Sequence, residues 1–196
     1  MSGKTIVTQR LLLEPWRDAV REDWLALNAD TEVFRWLGTG DPIPREYSEQ
    51  EHEIILAQWR EHGFGWRSVI DQESGEWIGA AGLNYVGENL VGLPPDEIEF
   101  GWWLKPSSWG RGLATEAAIA VRDEAFEGDV TDHLWARHTS RNIPSGRVME
   151  KIGMHFVREA PGAGGVPMRI FDIHRTDWEK LRSRGLRRRG PSSRSP

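Results

Sequence analysis

The sequence predicts an α+β fold: a mixed, mostly antiparallel central sheet of six to seven strands flanked by helices. Three observations carry this. A hairpin signal, Glu73-Ser74-Gly75-Glu76, separates two apolar runs, and a second hairpin surrounds a Gly/Pro-rich loop near residue 163. Between them a strand-like run passes through a glycine turn directly into a helix-like run. Antiparallel pairs with a single strand–helix–strand passage give a mixed sheet.

Taken in order, residues 6–16 alternate and read as the first strand. Asp18 to Ala29 reads as a helix, with Val20, Trp24, Leu25 and Leu27 on its apolar face. Residues 30–44 read as an irregular loop that carries Phe34, Trp36 and Leu37. Its aromatics can be core filler or the wall of a site. Ser48 and Glu51 have capping-box spacing, which predicts a helix to about His62, stopped by Gly63 and Gly65. Strands follow at 66–71 and 77–85, then a longer loop over 86–96, then a strand at 97–104. The helix over 113–126 carries Ala114, Ala117, Ala118, Val121 and Ala125 on one face, small enough to lie close to a sheet, and Gly128 ends it. A strand at 133–138 leads to Asn142, an N-cap, with Pro144 in the first turn and Gly153 at the C-cap. Residues 155–159 and 168–174 form the closing hairpin.

At 196 residues the chain is one domain with a tail. The domain is expected over residues 1–181. The basic Arg/Ser/Pro segment 182–196 is expected to be disordered, since it has too little apolar surface to bury. That tail holds six arginines and no acid; removing them leaves 19 bases against 30 acids, so an overall charge of −5 conceals a body at −11. An acidic body favours encounter with cationic partners, while any anionic ligand needs local cations, for which Arg111, Arg141 and Arg147 are candidates. The triple arginine 187–189 can be a solvated run or a contact for RNA. The absence of cysteine excludes disulfides, thiolate metal sites and a cysteine nucleophile. No apolar run approaches the roughly 20 residues of a membrane span, and the start shows no signal segment. A cytoplasmic protein is expected, with no membrane or DNA partner, as a monomer or homodimer.

The most informative stretch is Pro106 to Thr115. Gly110 and Gly112 lack a Cβ and let backbone approach a ligand. The first amides of the following helix have no internal partner and sit at the positive end of its dipole, which suits a phosphate or pyrophosphate. The dinucleotide fingerprint fits poorly: Thr115 stands where its third glycine belongs, and Asp132 precedes the next strand instead of ending it. The full Gly-x4-Gly-Lys-Ser/Thr loop of nucleoside-triphosphate binders is missing. The six histidines are dispersed and show no His-Glu-x-x-His, so no metal site is expected, and no Ser-His-Asp set is recognisable.

Trp109-Gly110-Arg111-Gly112-Leu113-Ala114-Thr115 resembles the coenzyme-A pyrophosphate loop of the GNAT N-acetyltransferase superfamily. Gly112 and Ala114 fit its pattern. Trp109 departs from the usual Gln/Arg but is similar to the RimJ/RimL branch, the ribosomal-protein N-terminal acetyltransferases. The opening Thr8-Gln9-Arg10-Leu11-Leu12-Leu13-Glu14-Pro15-Trp16 resembles that branch's first strand. Asn142-Ile143-Pro144-Ser145, with Val148 to Met154, resembles its later helix. The resemblance covers roughly residues 5–178.

The resemblance implies the acyl-CoA N-acyltransferase (GNAT) fold and acetyl-CoA as acyl donor, with no metal. It implies an amine acceptor: a ribosomal-protein N-terminus, an aminoglycoside, a polyamine or an amino acid. Residues 109–115 would hold the pyrophosphate, backbone amides near Trp103 and Leu104 would hold the carbonyl and pantetheine, and Asn142 would hold the pantetheine arm. Phe34 and Trp36 would wall the acceptor pocket. A carboxylate in mid-strand is costly unless it faces a cavity or a partner. That makes Glu99 a candidate base, directly or through water, though an ion pair with an arginine explains it too. Ser145 is the candidate acid for the leaving thiolate, and capping alone also explains Asn142 and Ser145. Attack would be direct, without an acyl-enzyme. The alternative is a non-catalytic module on the same fold that senses coenzyme A or docks on RNA or the ribosome.

Overall fold

The computed structural model describes residues 3–86 and 93–188, with side chains through residue 184. Its strands are β1 (Ile6–Val7), β2 (Leu11–Pro15), β3 (Trp66–Asp71), β4 (Trp77–Tyr85), β5 (Ile98–Leu104), β6 (His133–Thr139), β7 (His155–Pro161) and β8 (Pro167–His174). They form one sheet in the order β1-β2-β3-β4-β5-β6-β8-β7. Every pair is antiparallel except β5–β6. A parallel pair needs a crossover, and α4 (Leu113–Glu127) supplies it. Eight strands replace the six to seven expected because residues 6–16 are not one strand. Thr8 Oγ1 and the Leu11 amide hydrogen-bond across a turn that folds β1 back on β2.

Helices cover both faces. On one, α4 presses Ala117, Ala118, Val121 and Ala125, all fully buried, against Leu11, Leu13, Val69, Phe100 and Leu134. Methyl-sized side chains let the helix axis approach the sheet, and each large side chain buried there contributes about 1.5–3 kcal/mol. α5 (Ile143–Lys151) and α6 (Arg175–Arg188) close the same layer through Met149 and Trp178. The opposite face is aromatic. Trp16, Trp24, Phe34 and Trp59 pack there with Trp66 and Trp103, and Trp24 stacks on Trp103 at 5.0 Å between ring centroids. Arg67 crosses between layers, 1% exposed, its charge met by Glu124 on α4 and by the carbonyls of Lys4 and Leu13. A buried cation is tolerable only with such a complete set of partners.

Several local expectations change. The stretch from Asp18 to Ala29 is a 3-10 turn followed by α1 (Arg21–Asn28), and the supposed loop after it contains α2 (Thr31–Phe34), capped by Asp30, whose carboxylate accepts from the Glu32 amide. α3 (Arg45–His62) starts one turn earlier than the Ser48–Glu51 pair suggests, because Pro44 precedes it in extended geometry. Ser48 is therefore buried inside the helix rather than capping it, and Glu51 accepts from Asn28 Nδ2 at 3.1 Å. α6 carries regular structure through Arg188, so the first part of the expected disordered tail is helical. Residues 189–196, and 87–92 of the expected 86–96 loop, lie outside the described residues.

Burial raises the Glu51 carboxyl to about 7, only partly offset by the Asn28 bond. The folded chain thus holds a proton that the unfolded chain releases near pH 4.5, and stability falls as pH rises through 7. Glu51→Gln removes this cost while keeping an acceptor for Asn28. We expect it to be near neutral at pH 4 and stabilising by up to about 3 kcal/mol above pH 7. Urea unfolding at the two pH values checks this; an equal effect at both would show that Glu51 does not titrate there.

Candidate active site

All seven residues of β5 pair with β4, from Ile98↔Tyr85 to Leu104↔Gly79. With β6 it pairs only at Ile98↔Leu134 and Glu99↔Trp135. Beyond Glu99 the two strands part, while β6 stays paired to β8 along its whole length. The result is a wedge open toward the C-terminal end of β5. The Lys105 amide donates to the Ile78 carbonyl on β4. Strict alternation then turns the amides of Leu104 and Trp102 toward the gap and that of Trp103 toward β4. Of the region around Trp103 and Leu104 expected to hold a carbonyl, the amides facing the gap are those of Trp102 and Leu104, and that of Trp103 is not among them. The Leu104 carbonyl, deprived of β6, accepts from Trp109 Nε1 at 2.8 Å. This gives a structural task to the tryptophan that departs from the family's Gln/Arg.

The glycine turn lies at the mouth of the wedge. Gly110 (φ 72°) and Gly112 (φ 78°) are both left-handed, a conformation that a Cβ would strain. Gly112 is the N-cap of α4, and no side chain caps this helix. The first intrahelical bond runs from the Glu116 amide to the Gly112 carbonyl, which leaves the amides before it to a ligand. That is a fit for a pyrophosphate. The turn is clamped from behind. Glu116 accepts from Thr8 Oγ1, the Arg10 amide and Arg10 Nε, each at 2.7 Å, and Arg10 also donates to the Arg111 carbonyl at 2.8 Å. Partial burial alone would push the Glu116 carboxyl up; the Thr8 and Arg10 hydrogen bonds and the Arg10 charge outweigh it and hold it below the ordinary carboxylate range.

A cleft of about 530 Å³ joins turn and wedge. Of the residues expected to form the site, it brings together Trp36, Trp103, Leu104, Trp109, Gly110, Gly112, Leu113, Ala114, Thr115, Asn142 and Ser145. Asn142 Oδ1 caps α5 by accepting from the Ser145 amide at 3.3 Å, so capping and cleft lining coexist. Three expected residues do not line it. Phe34 is buried behind the wall, edge-on to Trp103. The Arg111 guanidinium turns away to Asp71 at 3.0 Å. Glu99, 18% exposed by its side chain, accepts from Arg137 Nε at 2.8 Å. The ion-pair account of this carboxylate thus describes its resting contact, and its place is the vertex of the wedge.

Other lining residues carry the charge. Arg147 and Lys151, one turn apart on α5, and Arg35 supply cations, and no carboxylate is among the described lining residues. Arg147 was expected from its type. Lys151 was readable from its i, i+4 spacing, and Arg35 gave no signal. Arg141, the remaining candidate, is tied to the Leu37 and Gly38 carbonyls. With Thr139 Oγ1, which donates to the Trp36 carbonyl at 2.8 Å, it holds the 36–38 segment as a wall of the cleft.

Ala114 stands in the first turn of α4 within the cleft. A carboxylate there opposes an anion docked on the amides. Ala114→Asp is expected to remove measurable coenzyme A binding by calorimetry while leaving the fold intact; unchanged affinity would count against the turn as the phosphate site.

Comparison with known proteins agrees with this geometry. Residues 10–155 match the acetyltransferase (GNAT) domain model. The chain is 26% identical over 203 residues to the FsC-acetyl coenzyme A-N(2)-transacetylase of Aspergillus fumigatus, covering 94% of this chain and 82% of that protein. An acetyltransferase structure from Agrobacterium tumefaciens superposes with a TM-score of 0.74 at 30% identity, over 89% of this chain and 96% of that one. A RimL ribosomal L7/L12 α-N-protein acetyltransferase in complex with coenzyme A superposes with a TM-score of 0.70 at 13% identity, over 87% of this chain and 98% of that one, a likeness of fold alone. With its glycine turn, its parted strands and a family match over most of its length, this chain belongs to the GNAT acetyltransferase family.

Proposed function

We propose that the protein is an acetyl-CoA-dependent N-acetyltransferase that passes the acetyl group directly to a primary amine. The observation that carries this reading is the continuity of one cleft from the uncapped start of α4 to the gap beside β5. The amides ahead of Glu116 bind the pyrophosphate, with Arg147 and Lys151 adding positive charge at that end. The pantetheine arm adds to β5 where β6 has left, and Asn142 flanks it from α5. The Leu104 and Trp102 amides face the thioester carbonyl. Donors fixed in place before reaction are usually a large part of catalysis, about 3 kcal/mol each.

Glu99 removes the amine proton. Because it stands at the vertex and outside the cleft lining, it acts through a water rather than by direct contact. Arg137 orients it. Ser145, on the far wall, protonates the departing thiolate. With no cysteine in the chain, a cysteine acyl-enzyme is impossible and attack by the amine is direct. The names of relatives bear on the acceptor: the fungal relative is named for acetyl transfer to an N(2) nitrogen, and RimL for the α-amine of a ribosomal protein. The RimJ/RimL-like opening and Trp109 favour a protein N-terminal amine.

Thiol release from acetyl-CoA, screened over peptides with varied first residues, aminoglycosides, polyamines and amino acids, tests the proposal. One class should accelerate release well above the rate without acceptor; no acceleration by any would leave a coenzyme-A-binding module. Glu99→Gln is expected to lower turnover by about 10² or more where the amine is protonated. That loss should shrink as pH approaches the amine's own pKa, where no base is needed, and coenzyme affinity should not change. A parent-like profile across pH would remove Glu99 from the mechanism.

A further inference from the structure

Histidines far apart in sequence meet on the sheet face that carries Glu97 and Glu99. His133 on β6 stands directly across from His174 on β8, and Trp135 across from Asp172. Residues two apart share a face, so His133, His174 and Asp172 project together. Their donor atoms all lie within 4.8 Å of one another. His133 Nε2 is 3.1 Å and His174 Nε2 3.8 Å from the same Asp172 oxygen. The other nitrogen of His133, Nδ1, faces Glu97 Oε2 at 3.8 Å.

We propose that His133, His174 and Asp172 bind one divalent transition cation of the imidazole-preferring kind, such as zinc or nickel. Two imidazole nitrogens and a carboxylate oxygen are a donor set for such ions, and ligands about 2.0–2.2 Å from a tetrahedral cation stand about 3.3–3.5 Å apart. Two of the three separations are already near that value. Glu97 supplies the outer contact: a metal on Nε2 displaces the proton that faces Asp172 in this structure, and the carboxylate near Nδ1 receives it on that side. His133 and Asp172 are mostly buried by their side chains and held by the sheet. The two rings stack at 3.8 Å and 11°, so one must turn for both lone pairs to lie in the ring plane. His174, 55% exposed, is free to do so. His155 on β7 pairs with Asp172 on β8.

A second group, Asp18, His52 and Glu53, has donor atoms equally close but a different tautomer. Trp16 Nε1 donates to His52 Nδ1 at 3.0 Å. A neutral His52 then carries its proton on Nε2, toward Asp18 at 3.2 Å, and offers a metal no lone pair. His133 differs in that both of its ring nitrogens face carboxylate oxygens, Asp172 at Nε2 and Glu97 at Nδ1, so its proton can move to Nδ1 when a metal takes Nε2.

The site also has a position in the fold. His133 opens β6 and Glu97 immediately precedes β5, beside the two bridges that close the wedge. A cation joining β6 to β8, with Glu97 behind it, pins the closed end from which the strands diverge. Its effect falls on stability and not on the acetyl-transfer chemistry, so this inference stands or falls independently of the proposed reaction.

Untagged, EDTA-washed protein titrated with zinc and separately with nickel, by calorimetry and by melting temperature, tests this. One equivalent should bind and raise the melting temperature. His174→Gln and Asp172→Asn should lose that equivalent, and Glu97→Gln should weaken it by about tenfold or more. His174 is exposed enough for its variant to keep the parent melting temperature in EDTA, so this variant decides even where Asp172→Asn folds poorly. No uptake at one equivalent, or uptake unchanged in His174→Gln, would overturn the assignment.

Discussion

The rest of the site depends on β5 being a strand with one partner. It is fully zipped to β4 but leaves β6 after Glu99. A strand edge inside a protein exposes backbone groups that must find partners elsewhere. One is satisfied internally, since Trp109 donates its indole N–H to the Leu104 carbonyl. The amides of Leu104 and Trp102 remain directed at the gap, and a ligand that lies along β5 completes the sheet there. In the proposed binding mode the ligand would therefore act as an added strand at this point of the sheet.

The same economy governs the helix that bridges the parted strands. α4 begins without a side-chain cap, a cost that an isolated helix would usually relieve with Ser, Thr, Asp or Asn. Here the acid of the first turn, Glu116, is drawn away from the cleft by Thr8 and Arg10. Those bonds tie the glycine turn to the N-terminal segment, and Arg111 ties it to Asp71. The turn is held rigid while its amides stay free. The cleft lining, in turn, is cationic within a chain whose body carries a charge of −11. Arg147 and Lys151 on α5 line the same cleft as the glycine turn, and no carboxylate is among its described lining residues.

Much of this was legible in the residues. The strand–glycine–helix passage, the small face of α4 and the Asn-x-x-Ser start of α5 all have local causes and occur where expected. Errors arose where a local signal competed with a stronger neighbour. Pro44 displaced the apparent capping box, and the Thr8–Leu11 turn divided an apparently continuous strand. The type of Arg111 suits a phosphate, while its guanidinium is held by Asp71, which is distant in sequence. The residue types around Glu99 allow a base or an ion pair, and its Arg137 partner sits on β6, 38 positions away.

The sequence by itself determined the period of each element, the glycines that permit a left-handed turn, the absence of thiol chemistry and the family, because these depend on residue type and near spacing. Only the tertiary structure decided where β5 and β6 part, which arginines reach the cleft and which are spent on carboxylates, and that His133, Asp172 and His174 share one face. The parting of the strands and the shared face are set by strand register across the sheet, and the arginines by how helices and turns pack onto it, long-range relations that no local pattern encodes.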